Sequence, residues 1–557
     1  MLPLLVSLMA PLSAPPPAPI AVPSAAPVAA GTPPNVLLIL VDDWGVDMHA
    51  SYGIPQASYP NTPVIDGLMS RGVTFENAWA TPVCSAARAS LLTGRYPYRT
   101  GIGGALRAGD NKALDPREVT IADGLERTDP AYTSAVFGKW HLAEPFAGNE
   151  PCNLGFEQWS ITPRNISDFC SYDLYRNGVM PCSSVLDSAV STYATTQFTA
   201  DAIDFIDKVD GPWFTYLAYH AGHSPWHAPP QALIRPERFT PTGDLTTGFC
   251  TIPAASLNPC DAPCGDSHIE RRAFYEMMIE AMDMELERLI FATTGAVDLD
   301  QALNAFLTRT VVILLGDNGS PQPVSFPPFV EDAPSQPPPG VGHKAKGSVY
   351  QGGVRVPLVI AGPGVAGPGV DGSGAPNPPR RATALVSIVD LFDTIVELAG
   401  GVPSMLPGPA NELCPNNNIL PYERDSVSLL PLLATPNSAE DDNLVFVHSS
   451  ANGDYVFTEF FREGCNTDPV NQERALIGVS SNTLYKVIQR KTDDGTCCLG
   501  FIDPAPAMGL PPMDYFFFSV APNQDPTEEN AIRLDPMFPW YPDFTALKTA
   551  LEAIPQP

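Results

Sequence analysis

Pro34-Asn-Val-Leu-Leu-Ile-Leu-Val41 runs straight into Asp42-Asp43, and Thr310-Val-Val-Ile-Leu-Leu315 runs into Gly316-Asp317-Asn318-Gly319. Each run is continuously apolar and too short for a long helix, which predicts a strand buried on both faces of a parallel sheet. Trp213–Tyr219 reads the same way. Helical stretches lie between these runs, notably Ala194–Val209 and Arg271–Ala292. The alternation predicts an α/β fold: a large doubly wound, mostly parallel sheet flanked by helices, with ligands at the carboxyl ends of the strands. Val386–Ala399 reads as a helix beginning near Ser387. Gly400–Tyr422, rich in Pro, Gly and Asn, reads as a linker or long loop. Beyond it, Leu444–His448, Ala475–Val479, Leu484–Ile488 and Tyr515–Val520 are short strand candidates, which suit a smaller C-terminal domain with an antiparallel sheet. The expected division is a leader at 1–30, a main domain at 31–430 and a C-terminal subdomain at 431–557.

The chain has 557 residues, enough for one large core and a satellite. Its formal charge is −30, which argues against a nucleic-acid partner, since phosphates need a basic face. The same charge disfavours a densely sulfated polymer unless the site is locally basic. Residues 1–30 carry no charged side chain; Leu2–Leu12 is apolar and a Pro/Ala stretch ends in Val28-Ala29-Ala30. This reads as a signal peptide and flexible leader, placing the protein outside the cell or in a periplasm. Its prolines exclude a spanning helix, and no later apolar run reaches the roughly 18 residues a transmembrane segment needs. Eleven cysteines, including Cys250, Cys260 and Cys264 in one polar stretch, suit disulfides in an oxidising compartment. The odd total leaves one thiol over. A zinc site lacks the paired CxxC spacing.

Asp42, Asp43, Asp317 and Asn318 offer oxygen donors with no sulfur or imidazole. If their strands are neighbours, the four converge on one crevice, where carboxylates repel unless a cation sits among them. Oxygen-only donors select Ca²⁺ or Mg²⁺. Taken singly, each pair would merely cap a turn.

Thr81-Pro-Val-Cys84-Ser-Ala86-Ala-Arg88 precedes Leu92-Thr-Gly94-Arg95. Ala86–Leu92 are good helix formers, so Cys84 belongs at or just before a helix N-terminus, where free N–H groups and the dipole stabilise an anion. A disulfide or an ordinary reactive thiolate would also suit that place. Cys-x-Ala-x-Arg followed by Thr-Gly-Arg resembles the signature of the sulfatase family, in which the cysteine is oxidised to Cα-formylglycine by a maturation enzyme. Proline is commoner in that family at the position of Ala86. Converting Cys84 would leave ten cysteines, compatible with five disulfides.

Further segments resemble the same family in order. These are Gly138-Lys139-Trp140-His141, with Lys139 and His141 on one face if extended, and Pro212–Pro225, which ends in His223-Ser-Pro225. Lys346-Gly-Ser-Val-Tyr350-Gln-Gly352-Gly353-Val-Arg355-Val-Pro357, Val386–Gly400 and Asp525-Pro526…Glu529-Asn530 follow. The resemblance implies a hydrolase of sulfate monoesters. Asp42, Asp43, Asp317 and Asn318 would hold one divalent ion, Ca²⁺ ahead of Mg²⁺. Arg88, Lys139 and Lys346 would surround the sulfate and the nucleophile. The hydrated aldehyde at residue 84 would attack sulfur, His223 with Lys346 would protonate the departing oxygen, and His141 would deprotonate the remaining hydroxyl to release inorganic sulfate. His220 and His227 have no assigned role. Two rivals share the fold, namely a phosphoester or phosphonate hydrolase and a non-catalytic calcium-binding homologue with Cys84 unconverted. The insertions Phe239–Asp266 and Pro321–Gly342 are expected to shape the leaving-group side, with Trp226 a candidate wall. The expected substrate is a small-molecule or carbohydrate sulfate ester that is sparsely sulfated. Asn165-Ile-Ser167 is a glycosylation sequon.

Overall fold

The computed structural model describes residues 33–434, apart from 129–130, 145, 147–149, 179–181, 248–250, 254–255, 257, 262–266, 328, 330–343, 368–377, 407–411, 414–418 and 421–423. Beyond these it describes strands at 449–450, 453–463, 469–480, 483–491 and 513–519. The leader at 1–30, the candidate strand Leu444–His448 and the motif Asp525–Asn530 lie outside the described residues.

Ten strands form one sheet: β1 Asn35–Val41, β2 Val73–Trp79, β3 Thr133–Lys139, β4 Gln158–Thr162, β5 Tyr172–Asn177, β6 Ser184–Val190, β7 Trp213–Tyr219, β8 Thr310–Gly316, β9 Arg355–Ala361 and β10 Arg380–Ser387. Their spatial order is β10-β2-β9-β8-β1-β7-β3-β4-β5-β6. Only β9 and β5 run against the rest. The two strands that end in acidic pairs are direct neighbours: β1 pairs with β8 in parallel, Val41 opposite Gly316.

The unbroken apolar runs have a simple cause, because alternate residues fill different cores. Val36, Leu38 and Leu40 of β1 join Val311, Ile313 and Leu315 of β8 on one face, with helix α1 (Cys84–Thr93). Leu37, Ile39 and Val41 join Val312 and Leu314 on the other, with helices α2 (Ala194–Lys208) and α3 (His268–Thr294). A strand covered on both faces has no polar side to show in its sequence.

The helix expected near Ser387 starts later. Val386 and Ser387 are the last residues of β10, Ile388–Asp390 form one 3₁₀ turn, and the α-helix spans Leu391–Leu398. Ser387 and Asp390 make a reciprocal capping box there, so this serine stops the strand as well as starting the turn. The C-terminal strands form a separate five-stranded sheet whose pairings are all antiparallel. Cys152–Cys182 and Cys170–Cys260 are disulfides, and Cys84 is the free, buried thiol among the described residues. Cys250, Cys264, Cys414, Cys465, Cys497 and Cys498 lie outside them. Among the described residues no helix is long and apolar enough to cross a membrane.

Gly138, the residue before Lys139, shows how tightly the sheet fixes its carboxyl edge. Its φ is +106°, and an added Cβ would lie 1.9 Å from the Ala218 carbonyl oxygen of β7. Gly138→Ala is expected to destabilise the fold by on the order of 3 kcal/mol, through strain and loss of the β3–β7 pairing. Thermal unfolding checks this; a variant that melts with the wild type would refute it.

Candidate active site

The acidic tips meet because β1 and β8 end level. The Asp43 N–H donates to Asp317 Oδ1 at 3.0 Å, and the Asp317 N–H donates to the Val41 carbonyl at 3.1 Å. Carboxylate oxygens of Asp42, Asp43 and Asp317 lie within 4.8 Å of one another, and all three side chains are buried. Asn318 Nδ2 donates to Asp43 Oδ1 at 2.8 Å. Asp43 sits in the left-handed region, φ 62°, held there by Tyr275 of α3, whose hydroxyl donates to the Asp43 carbonyl at 2.8 Å.

Three cations enclose this cluster. Arg88, one turn into α1, donates to Asp317 Oδ2 at 2.9 Å and to the Lys139 carbonyl at 2.8 Å. Lys139, the last residue of β3, donates to Asp42 Oδ2 at 2.5 Å. Lys346 Nζ binds Asp43 Oδ1. Arg88 and Lys139 are fully buried, and Lys346 is partly exposed. Burial opposes the charge on Lys346, but Asp43 first, then Cys84, Asp42 and Asp317, hold its ammonium above the ordinary lysine range.

Cys84 is the first residue of α1 and lies within electrostatic reach of Arg88, Asp317 and Lys346. Its Sγ is 3.2 Å from His141 Nδ1, and His141 Nε2 is 2.9 Å from the Leu106 carbonyl. A carbonyl only accepts, so Nε2 carries the hydrogen and Nδ1 presents its lone pair to residue 84. Burial, with Lys139 and Arg88 adding to it, keeps His141 well below the ordinary imidazole range, hence neutral. The Leu106 loop is pinned in turn by its own N–H on Ser85 Oγ, 3.0 Å.

Lys139 and His141 do not share a face of one extended strand. β3 stops at Lys139, and His141 has φ 57°, because the Trp140 and His141 N–H groups bond Thr162 and Pro163 carbonyls across the end of β4. The turn sends Lys139 to the carboxylates and His141 to residue 84. His223 follows β7, where Gly222 (φ 96°) packs so closely on the Asp42 carbonyl that a Cβ would lie 2.3 Å from it. His223 Nδ1 faces the Ser224 carbonyl at 2.7 Å, and burial lowers its pKa to about 4. Trp226 donates its indole N–H to the Gly222 carbonyl at 3.0 Å, bracing that turn. His220 is buried against the Thr162 hydroxyl at 2.6 Å, and His227 bonds Tyr193 and the Pro225 carbonyl. Tyr275, Ser85 and the Leu106 carbonyl carried no sequence signal, since each acts through a contact distant in the chain. The two insertions Phe239–Asp266 and Pro321–Gly342 lie partly outside the described residues.

The donor set fits a cation. Asp42 Oδ1 and Asn318 Oδ1 are buried with no hydrogen-bond partner, and both belong to the cluster. Burial would raise the Asp42 carboxyl, but Lys139, His223, Arg88 and Lys346 hold it well below the ordinary range. Burial and then the Asp42 charge push the Asp317 carboxyl well above it. A divalent ion among these carboxylates would oppose that upward push on Asp317 and favour its ionised form.

The sequence model of the Sulfatase family matches residues 34–402. Human N-acetylgalactosamine-6-sulfatase is 32% identical over 225 residues, which cover 36% of this chain and 41% of that protein. The chain thus spans about two fifths of that relative's length. Human arylsulfatase A is 27% identical over 394 residues, covering 66% of this chain and 64% of the relative. A solved structure described as in complex with its substrate D-glucosamine-2-N,6-O-disulfate superposes with a TM-score of 0.58 at 17% identity, covering 94% of this chain and 97% of that one. At that identity the likeness shows the fold.

Because a proton and a cation compete at Asp317, Ca²⁺ affinity is expected to fall as pH drops from neutral into the acid range, with proton release on binding. Titration calorimetry in buffers of different ionisation enthalpy reads both. Affinity independent of pH, with no proton released, would overturn proton competition at Asp317, and no binding at any pH would remove the cation assignment.

Proposed function

This chain belongs to the sulfatase family, and from that premise we propose that it is a sulfuric ester hydrolase, cleaving a sulfate monoester to an alcohol or phenol and inorganic sulfate. The observation that carries the reading is residue 84 at a helix N-terminus, against the bare Nδ1 of His141 and beside three carboxylates ringed by Arg88, Lys139 and Lys346.

Asp42, Asp43, Asp317 and Asn318 would hold one divalent ion, an all-oxygen donor set suiting Ca²⁺ or Mg²⁺ and the family resemblance favouring Ca²⁺. When bound, that ion supplies positive charge opposite the sulfate and the nucleophile. Conversion of Cys84 to Cα-formylglycine by a maturation enzyme supplies a hydrated aldehyde in place of the thiol. The chain's own groups do the rest. Arg88 fixes Asp317 and Lys139 fixes Asp42, so the ligand oxygens are placed before substrate arrives. Lys346 keeps its charge while reaching the open side, suiting it to grip a sulfate oxygen and follow negative charge onto the leaving group. His141 Nδ1, unprotonated and aimed at residue 84, takes a proton from a hydroxyl there. His223 faces the departing oxygen. Its Nδ1–H rests on the Ser224 carbonyl, so donation from Nε2 requires a second proton, which the anionic substrate favours.

The leaving group is proposed to be a small-molecule or carbohydrate alcohol bearing few sulfates. Support comes from the sugar sulfates named for the relative and the solved structure, and from the −30 charge, which repels a dense polyanion. A secreted or periplasmic location is proposed from the two disulfides and the leader composition. Residues 31–430 are proposed as the catalytic domain and 431–557 as a smaller subdomain.

Mass spectrometry of the tryptic peptide holding residue 84, from native-host protein, is expected to show the aldehyde, and that protein should hydrolyse 4-nitrophenyl sulfate. Faster turnover of a phenyl phosphonate than of the sulfate would transfer the assignment to the rival hydrolase. A thiol at residue 84 with no hydrolysis would leave a calcium-binding homologue. His223→Ala is expected to cost about 10²-fold or more in kcat on alkyl or sugar sulfates and far less on 4-nitrophenyl sulfate, whose leaving group needs no proton. Equal losses on both would remove His223 as the acid.

A further inference from the structure

We propose that Asp47 and Ser320 are positioning residues that lock the two cation-binding loops and Lys346 into one register. The inference rests on the reading of residues 42–43 and 317–318 as cation ligands.

Asp47 lies four residues past Asp43, is completely buried, and stands outside the three-carboxylate cluster. It caps no helix, since the 3₁₀ turn Val46–Met48 that contains it begins at Gly45 without a side-chain cap. A carboxylate held away from water is costly unless bonded, so its partners identify its task. The Arg272 charge and the Ser325 hydroxyl act on this carboxylate, and Oδ2 has no hydrogen-bond partner; the bond that reaches a ligand loop comes from Ser320, two residues past Asn318, whose Oγ donates to Asp47 Oδ1 at 2.8 Å. Ser320 Oγ also accepts the Gly45 N–H at 3.0 Å. A hydroxyl has one hydrogen, so the chain has one direction, from the Gly45 N–H through Ser320 to Asp47.

The loop after β1 is thereby cross-linked to the loop after β8, just beyond the ligand pairs each carries. The bracket extends to a third loop, because the Ser320 carbonyl accepts the Lys346 N–H at 3.0 Å and Lys346 Nζ returns to Asp43 Oδ1. The circuit closes through Asp43, Gly45, Ser320 and Lys346. Its spacing tolerates nothing larger than glycine at position 45. An added Cβ would lie 2.8 Å from each of Asp47 Oδ1, Ser320 N and Ser320 Oγ. Arg272 of α3 pins the Asp47 carbonyl from behind, at 3.4 Å.

Such an outer bond acts on affinity and rate through the ligands it orients, typically by about 10- to 100-fold. The test uses the full-length, converted protein and the variants Ser320→Ala, Asp47→Ala and Asp47→Asn. Calcium affinity is read by calorimetry, and 4-nitrophenyl sulfate kinetics are read at saturating Ca²⁺. Ser320→Ala and Asp47→Ala are expected to weaken Ca²⁺ binding about tenfold or more and to lower kcat by a similar factor, with KM little changed. Asp47→Asn keeps an acceptor for Ser320 and should stay near wild type in both. Calcium affinity and kcat unchanged in Ser320→Ala would overturn the bracket, as would Asp47→Asn as damaging as Asp47→Ala. A wild type that binds Ca²⁺ yet hydrolyses no sulfate ester would sink the proposed function alone, the bracket still being decided by the calcium titrations. A wild type that binds no Ca²⁺ would overturn both.

Discussion

The parallel pairing of β1 with β8 sets the terms for everything around it. With Val41 level with Gly316, the next residues of each strand must share one small volume, and three of those four are aspartates. Buried like charges at such separations repel strongly in a medium of low dielectric, so the fold is viable only if cations are delivered to the same point. They arrive from three unrelated places: Arg88 from one turn into α1, Lys139 from the end of β3, and Lys346 from the segment before β9. Each element ends or begins at the carboxyl edge of the sheet, which is where α/β architecture gathers ligand groups.

Meeting at one point leaves little room for ordinary backbone. Asp43 and His141 both adopt positive φ, a costly conformation for non-glycine residues, and both are functional candidates. Each is held by a bond from outside its own segment. The Tyr275 hydroxyl holds the Asp43 carbonyl, and the Pro163 carbonyl holds the His141 N–H. Glycine is needed where chains touch, as at Gly138 on Ala218 and Gly222 on Asp42. Local strain and close approach at the edge are sustained by the doubly covered sheet beneath it.

This division explains what could be read from sequence. The buried strands, their order of appearance and the acidic tips were legible because a strand covered on both faces is apolar throughout and must end somewhere polar. Cys84 at the start of α1 was legible from the helix formers that follow it. The start of the helix after β10 was not, because Ser387 both closes a strand and caps a turn, and both roles suit a serine. The left-handed turn at His141 was hidden as well. Nothing in Gly138-Lys139-Trp140-His141 encodes the Thr162 and Pro163 carbonyls that impose it. Asp47 and Ser320 escaped notice for the same reason, since their bond joins residues 273 apart in sequence.

The −30 charge of the chain and an anionic substrate appear at odds, and the site resolves the conflict locally. Three carboxyl groups face three cations, with Asp317 pushed toward its protonated form and His141 held neutral, so the cation-free cluster carries at most a small positive charge. A divalent ion among the carboxylates would leave the pocket about two charges positive while the rest of the surface stays acidic. Over distances beyond the roughly 8 Å Debye length at physiological salt, the surface is screened and the pocket alone decides what enters. A single sulfate reaching the pocket is then favoured, whereas a chain of sulfates must lay its remaining charges along acidic surface. Metal loading thus strengthens the positive charge of the site, and the surrounding surface sets how many anionic groups its substrate can carry.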